Sequence, residues 1–261
     1  MNVMDHINFA YDLAKDKYKG RELRLLLLGS GLPDIYIAGI MNRLKTHTRG
    51  EEFLKFCEKK CPRNVPLARG VILHQKADDL FHGRYLKEKM EYIMGKIAPV
   101  DRPFFEKYGH GITELGGMMI EKKNLPMKVE KVMECKVKDI SCYLEFLEEG
   151  MKSRVKVYTM FALGKLFYRS KLISMNKKEL DNIIINLTSL TLNGLVNKKV
   201  FENGLTFPAL ATGSFYYFFI RERKIENIER MKRLILQAKE ELEKDYLQYW
   251  EWINSKLKIY I

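Results

Sequence analysis

The sequence predicts an all-α protein, a bundle of many helices, and three observations support this. Nearly every segment of the 261 residues places its apolar residues at helical spacing, and no segment alternates strictly enough to be a strand. Only seven prolines interrupt the chain. Hydrophobic residues make up 46% and charged residues 30%, which is typical of a folded globular protein. The length is sufficient for a substantial core.

Glycine, proline and capping residues give the expected helix boundaries in the first half. Gly29, Gly31 and Pro33 are expected to end the second helix, and the pair Thr48 and Glu51 has the spacing of a capping box that starts the fourth. The helices are predicted at residues 3–17, 21–28, 36–44, 49–60, 67–96 and 103–123. In the second half they are predicted at residues 128–149, 151–168, 177–192, 207–221 and 225–256.

The formal net charge of +13 indicates partners that carry phosphate, such as lipid headgroups, phosphorylated small molecules or nucleic acid. A lysine-rich solvated surface is the alternative explanation. No secretory signal and no apolar run of 18 residues is present, so we expect a cytoplasmic protein without a transmembrane segment. Cys57 and Cys61 are spaced to touch on one helix, where packing is a simpler role than a disulfide or metal site.

The distribution of histidine is the most informative feature of the sequence. All five histidines lie before residue 111. His74, Asp78 and His82 follow at successive steps of four residues, and each such step rotates a helical side chain by about 40°, so the three point from nearly one face. Asp79 lies about 100° away and fits this face less well.

A second helix repeats the same spacing with His110 and Glu114. Two such helices packed face to face would bring imidazoles and carboxylates together, a set of ligands that suits Zn²⁺, Mn²⁺ or Fe²⁺. Asp34 and His47 lie in segments that can reach the same centre. A single histidine is more often structural, so the combination carries the prediction.

These residues resemble the zinc-dependent phospholipase C family, whose all-helical fold is shared with single-strand-specific zinc nucleases. The resemblance covers residues 1 to about 120. It rests on an early histidine (His6), the segment from Leu28 to Asp34, a separate His47, the His74 to His82 group and the pair His110 and Glu114. Bacterial acyl carrier protein phosphodiesterases are similar in their first helix and their Leu-His-x-x-x-Asp segment.

The resemblance implies a multinuclear metal site. Asp34, His47, His74 and Asp78 would hold one ion, and His82, His110 and Glu114 a second. Asp78 would bridge to a third ion bound by His6. In the family, the third ion also binds the amino group of an N-terminal Trp, whereas this sequence starts with Met1, so two or three ions are open alternatives.

The expected function is hydrolysis of a phosphodiester by a water activated between metal ions, with Asp34 as a metal ligand or as the general base. A catalytically inactive metal-binding protein and a basic helical protein that binds nucleic acid or phospholipid are the alternatives. Residues 1–125 are predicted to form the metal-binding core, and residues 126–261 a helical region packed on it. The aromatic residues of the last helix would pack on that core or form a homo-oligomer.

Overall fold

The computed structural model describes residues 3–34, 43–120, 131–132, 134–148 and 225–261. Within these ranges all regular elements are helices, which confirms the predicted all-α class. The predicted helices at 151–168, 177–192 and 207–221 lie outside the described residues, as do most of 36–44 and the expected domain boundary at 125. No helix in the described ranges is long and apolar enough to span a membrane.

Ten α-helices are assigned within the described ranges. They are α1 (Val3–Ala14), α2 (Gly20–Gly31), α3 (Arg43–His47), α4 (Gly50–Lys60), α5 (Val65–Leu80), α6 (Leu86–Lys96), α7 (Arg102–Ile120), α8 (Val137–Phe146), α9 (Ile225–Leu242) and α10 (Tyr246–Leu257). A π-helical segment (Phe81–Tyr85) joins α5 to α6, and short 3₁₀ turns cover Pro62–Asn64, Pro99–Asp101 and Lys258–Tyr260.

Among the helices that the structure describes, α2 and α5 pack most closely, and they cross at a pair of glycines. A Cβ atom on Gly29 would lie 2.0 Å from the carbonyl oxygen of Leu67, and one on Gly70 would lie 2.1 Å from that of Leu26. Both positions therefore require glycine. The prediction that α2 ends before Gly29 was wrong, because this glycine provides close contact inside a helix rather than a stop.

Three other predicted helix features differ from the structure. Thr48 does not cap α4: its hydroxyl donates to the Leu44 carbonyl oxygen at 2.7 Å, and Arg49 occupies the cap position. The segment predicted as one helix at 67–96 contains the π-helical segment, which local sequence does not reveal. The helix predicted at 225–256 is broken by a turn into α9 and α10.

The C-terminal helices pack on the N-terminal ones. On α10, Trp250 is buried with its ring edge-on to Phe9 of α1 at 5.3 Å, and the Tyr249 hydroxyl donates to the Leu80 carbonyl oxygen at 2.7 Å. On α9, the buried Ala238 lies where a Cβ atom on Gly116 of α7 would contact it. The aromatic residues of the last helix thus contribute to the core, and a homo-oligomer stays a prediction.

All four cysteines are free thiols. The sulfur atoms of Cys57 on α4 and Cys142 on α8 lie 3.7 Å apart, and both residues are buried. Cys57 thus packs against another helix as an apolar residue, the role that sequence analysis favoured.

Candidate metal centre

All eight residues singled out as metal ligands come together in one part of the bundle. They form three groups, two of which share His74, and within each group one ligand atom from each member lies within 4.8 Å of the others. The groups are His6 with His74 and Asp78, Asp34 with His47 and His74, and His82 with His110 and Glu114. The elements that supply them are α1, the 3₁₀ turn that follows α2, α3, α5, the π-helical segment and α7.

Asp78 occupies the middle of the cluster, and each of its carboxylate oxygens faces two histidines. Oδ1 lies 3.1 Å from Nε2 of His6 and 3.2 Å from Nε2 of His82. Oδ2 lies 3.7 Å from Nε2 of His74 and 3.8 Å from Nε2 of His47. A carboxylate with different neighbours on its two oxygens is arranged to connect two adjacent cation positions.

We call the group of His6, Asp34, His47 and His74 the closed end of the centre. His6 and His74 are 1% and 0% exposed, and their rings stack with 3.7 Å between centroids. Nε2 of His47 lies 3.1 Å from Nε2 of His74 and 3.5 Å from Oδ1 of Asp34. Two imidazole nitrogens and a carboxylate oxygen therefore face one another away from solvent.

We call the group of His82, His110 and Glu114 the open end. The two imidazole rings lie nearly parallel, at 7°, with 4.8 Å between centroids. Oε1 of Glu114 lies 3.2 Å from Nε2 of His110 and 3.6 Å from Nε2 of His82. The His110 side chain is 53% exposed and that of His82 is 24% exposed, so this end meets solvent.

Hydrogen bonds on the outer side of two histidines orient their rings. Nδ1 of His74 donates to the carbonyl oxygen of Ser30 at 2.8 Å, which leaves Nε2 unprotonated and directed into the centre. The Thr46 hydroxyl lies 2.8 Å from Nδ1 of His47. Metal-binding histidines commonly have such a partner on the second ring nitrogen.

Burial keeps His6 and His74 neutral. It lowers the pKa of His74 to about 3 and also lowers the pKa of His6. Burial alone would raise the pKa of Asp78 and Glu114, but electrostatic attraction and the contacts with neighbouring histidines hold both well below their ordinary values. Neutral imidazoles beside ionised carboxylates are the protonation states that a cation requires.

Several buried polar atoms of the closed end lack hydrogen bonds. Within the described part of the chain, neither ring nitrogen of His6 has a hydrogen-bond partner, and neither does Oδ2 of Asp34. Nε2 of His6 is close to Asp78 but not aligned for a hydrogen bond. Because buried polar atoms are nearly always satisfied, these atoms fit a site that holds an ion and a water molecule bound to it.

Sequence analysis missed the residues that hold the ligands in place. Ser30 acts through its backbone carbonyl and Gln75 through a side-chain amide that contacts residues on either side of His47. Neither role has a sequence signal, because any residue has a carbonyl group and the partners of Gln75 are distant in the chain.

Comparisons of the chain with protein-family models, with curated proteins and with solved structures found no match. The resemblance to the zinc-dependent phospholipase C family therefore stays a prediction from the motifs, and the ligand roles stay predictions from sequence and geometry.

Proposed function

We propose that this protein is a metal-dependent hydrolase of phosphodiesters, of the zinc-dependent phospholipase C type. The observation that carries the proposal is the cluster of five histidines and three carboxylates, in which neighbouring imidazole nitrogens and carboxylate oxygens lie 3.1–3.8 Å apart. Zn²⁺ is the expected ion, with Mn²⁺ or Fe²⁺ as alternatives, because imidazole nitrogen and carboxylate oxygen bind all three.

The hydrogen bond of His74 supports an assignment of ligands to two ions. Since Nδ1 of His74 is used by Ser30, only Nε2 is left, and it can serve one ion. His74 then joins Asp34 and His47 with Oδ2 of Asp78, while His82, His110 and Glu114 hold the other ion. A third ion would have only His6 and Oδ1 of Asp78 among the described residues.

The bound cations would lower the pKa of a coordinated water and neutralise the oxygens of the phosphate. The residues of the chain would position the reactants. Oδ1 of Asp34 faces His47 and His74, whereas Oδ2 has no hydrogen-bond partner among the described residues. We therefore assign Oδ1 as a ligand and Oδ2 as the group that orients the attacking water and accepts its proton.

The phosphodiester would enter from the open end, because His110 is the most exposed of the eight residues. The net charge of +13 favours the approach of an anionic substrate. A lipid headgroup diester or another small phosphodiester is the expected class, and single-stranded nucleic acid shares the same chemistry.

The first test is elemental analysis of the purified protein, with hydrolysis assays against bis-p-nitrophenyl phosphate, phosphatidylcholine vesicles and single-stranded DNA. His74→Ala and Glu114→Ala should each reduce the bound metal and the hydrolysis rate. Asp79→Ala is the matched control, because Asp79 is an exposed neighbour of Asp78 and should retain both. Unchanged metal content in both His74→Ala and Glu114→Ala would disprove the proposal.

The same measurements separate the alternatives. Bound metal without turnover on any of the three substrates would indicate a non-catalytic metal protein. Absence of metal, together with salt-sensitive binding of single-stranded DNA, would indicate a basic nucleic-acid-binding protein.

A further inference from the structure

Gln75 follows His74 on α5 and reaches the segment that carries His47. Its Oε1 atom accepts a hydrogen bond from the backbone N–H of Gly50 at 3.0 Å. Its Nε2 atom donates to the backbone carbonyl oxygen of Thr46 at 3.2 Å. One side-chain amide thus bonds to the backbone on both sides of His47.

The segment around His47 is short. His47 ends α3, a helix of only five residues, and α4 begins three residues later. The Tyr143 hydroxyl also donates to the Thr46 carbonyl oxygen, at 3.3 Å, and the Arg49 guanidinium lies 4.5 Å from the ring centroid of Phe146. Each of these contacts lies on one side of His47, whereas the Gln75 amide bonds to the backbone on both sides.

Gly50 is matched to this amide. A Cβ atom at position 50 would lie 2.5 Å from Oε1 of Gln75, a distance that side chains do not tolerate, so a larger residue would displace the amide. The glycine and the glutamine thus form a fitted pair that brings two segments together at the closed end of the centre.

We infer that Gln75 is a positioning residue that sets the distance between His47 and His74 and thereby the metal affinity of the closed end. The inference rests on the proposed metal site. Because α5 also provides His74 and Asp78, the amide of Gln75 aligns a ligand from another segment with two ligands of its own helix. Partners that orient ligands in this way typically change metal affinity by about 10- to 100-fold when removed.

The test is a competition titration with a chelator on the full chain, with Zn²⁺ and with Co²⁺ as a spectroscopic probe. Gln75→Leu removes both hydrogen bonds at similar size, and Gly50→Ala displaces the amide without altering it. Both should lower the affinity for one ion about 10- to 100-fold, change the Co²⁺ visible absorption of that site and leave the second ion's affinity unchanged.

Gln237→Leu is the matched control, because the Gln237 amide donates to the Lys96 carbonyl oxygen on an exposed surface. Its affinity for both ions should equal that of the wild-type protein. Gln75→Glu retains an acceptor for the Gly50 N–H, so its metal affinity should lie between those of Gln75→Leu and the wild-type protein. It also provides a folded comparison if the leucine variant unfolds. Folded Gln75 variants with both affinities within twofold of the original would overturn the inference.

A different result would count against the proposed function instead. If the original chain bound no metal, the metal site itself would be wrong. Gln75 would then be tested by hydrogen exchange at the Gly50 amide, where loss of protection in Gln75→Leu supports the contact and unchanged protection refutes it.

Discussion

The closed and open ends of the candidate centre are built from the same residue types but differ in support. At the closed end, His74 is fully buried, is bonded to the Ser30 carbonyl oxygen and lies beside the crossing of α2 and α5. At the open end, His110 is half exposed, and its Nε2 atom contacts Glu114 on the same helix. The difference predicts that folding preorganises the closed end, whereas the open end can adapt to a bound molecule.

Asp78 connects the two ends, so its replacement should have the largest effect. Asp78→Ala removes a carboxylate that contacts His6, His47, His74 and His82 and should release metal from both ends. We expect hydrolysis to fall by about 1,000-fold. Metal analysis and initial rates are the measurements, with Asp79→Ala as the control. A variant that lost only one ion would show that the ends are independent.

A substitution at the helix crossing should damage the closed end through folding. Gly70→Ala places a Cβ atom 2.1 Å from the Leu26 carbonyl oxygen, which forces α2 and α5 apart. Overpacking of this kind costs about 1–3 kcal/mol of unfolding free energy, measured by urea denaturation of the metal-free protein. Gly95→Ala on α6 has no atom within 4 Å of the new Cβ and should be neutral or slightly stabilising.

The metal-free protein should lose stability in acid because of the closed end. The pKa of His74 is about 3 in the folded protein and 6.5 in the unfolded chain. Between these values the unfolded state binds more protons, so the unfolding free energy falls as the pH drops below 6.5. At pH 5 the loss from this group is about 2 kcal/mol. Denaturation midpoints at pH 7.5 and pH 5 measure it, and equal midpoints would contradict the assignment of a neutral buried imidazole.

The smallest effect is expected at the open end. His110→Ala removes one exposed candidate ligand and should lower the affinity for the open-end ion about 10-fold, with little change in unfolding free energy. When the wild-type protein is dialysed against increasing chelator, the first ion lost should be the one whose affinity this variant lowers. Loss of the closed-end ion first would reverse the comparison.

The helical class and the clustering of the candidate ligands were predictable from sequence because both depend on spacing. His74, Asp78 and His82 share a face through helical geometry, and the contact distances agree. Gly29 was misread as a helix end, since glycine stops a helix or permits a close crossing depending on a partner distant in the sequence. The Ser30 carbonyl and the Gln75 amide act through tertiary contacts, which a single sequence does not specify.

The π-helical segment determines how α6 is rotated about its axis relative to α5. A π turn contains one residue more than an α turn, so the same five residues in α-helical form would turn α6 by about 100° relative to α5. Leu86 and Ile93, which α6 buries, would then turn towards water. The π-helical form of Phe81–Tyr85, a segment that also carries His82, therefore selects the side of α6 that enters the bundle.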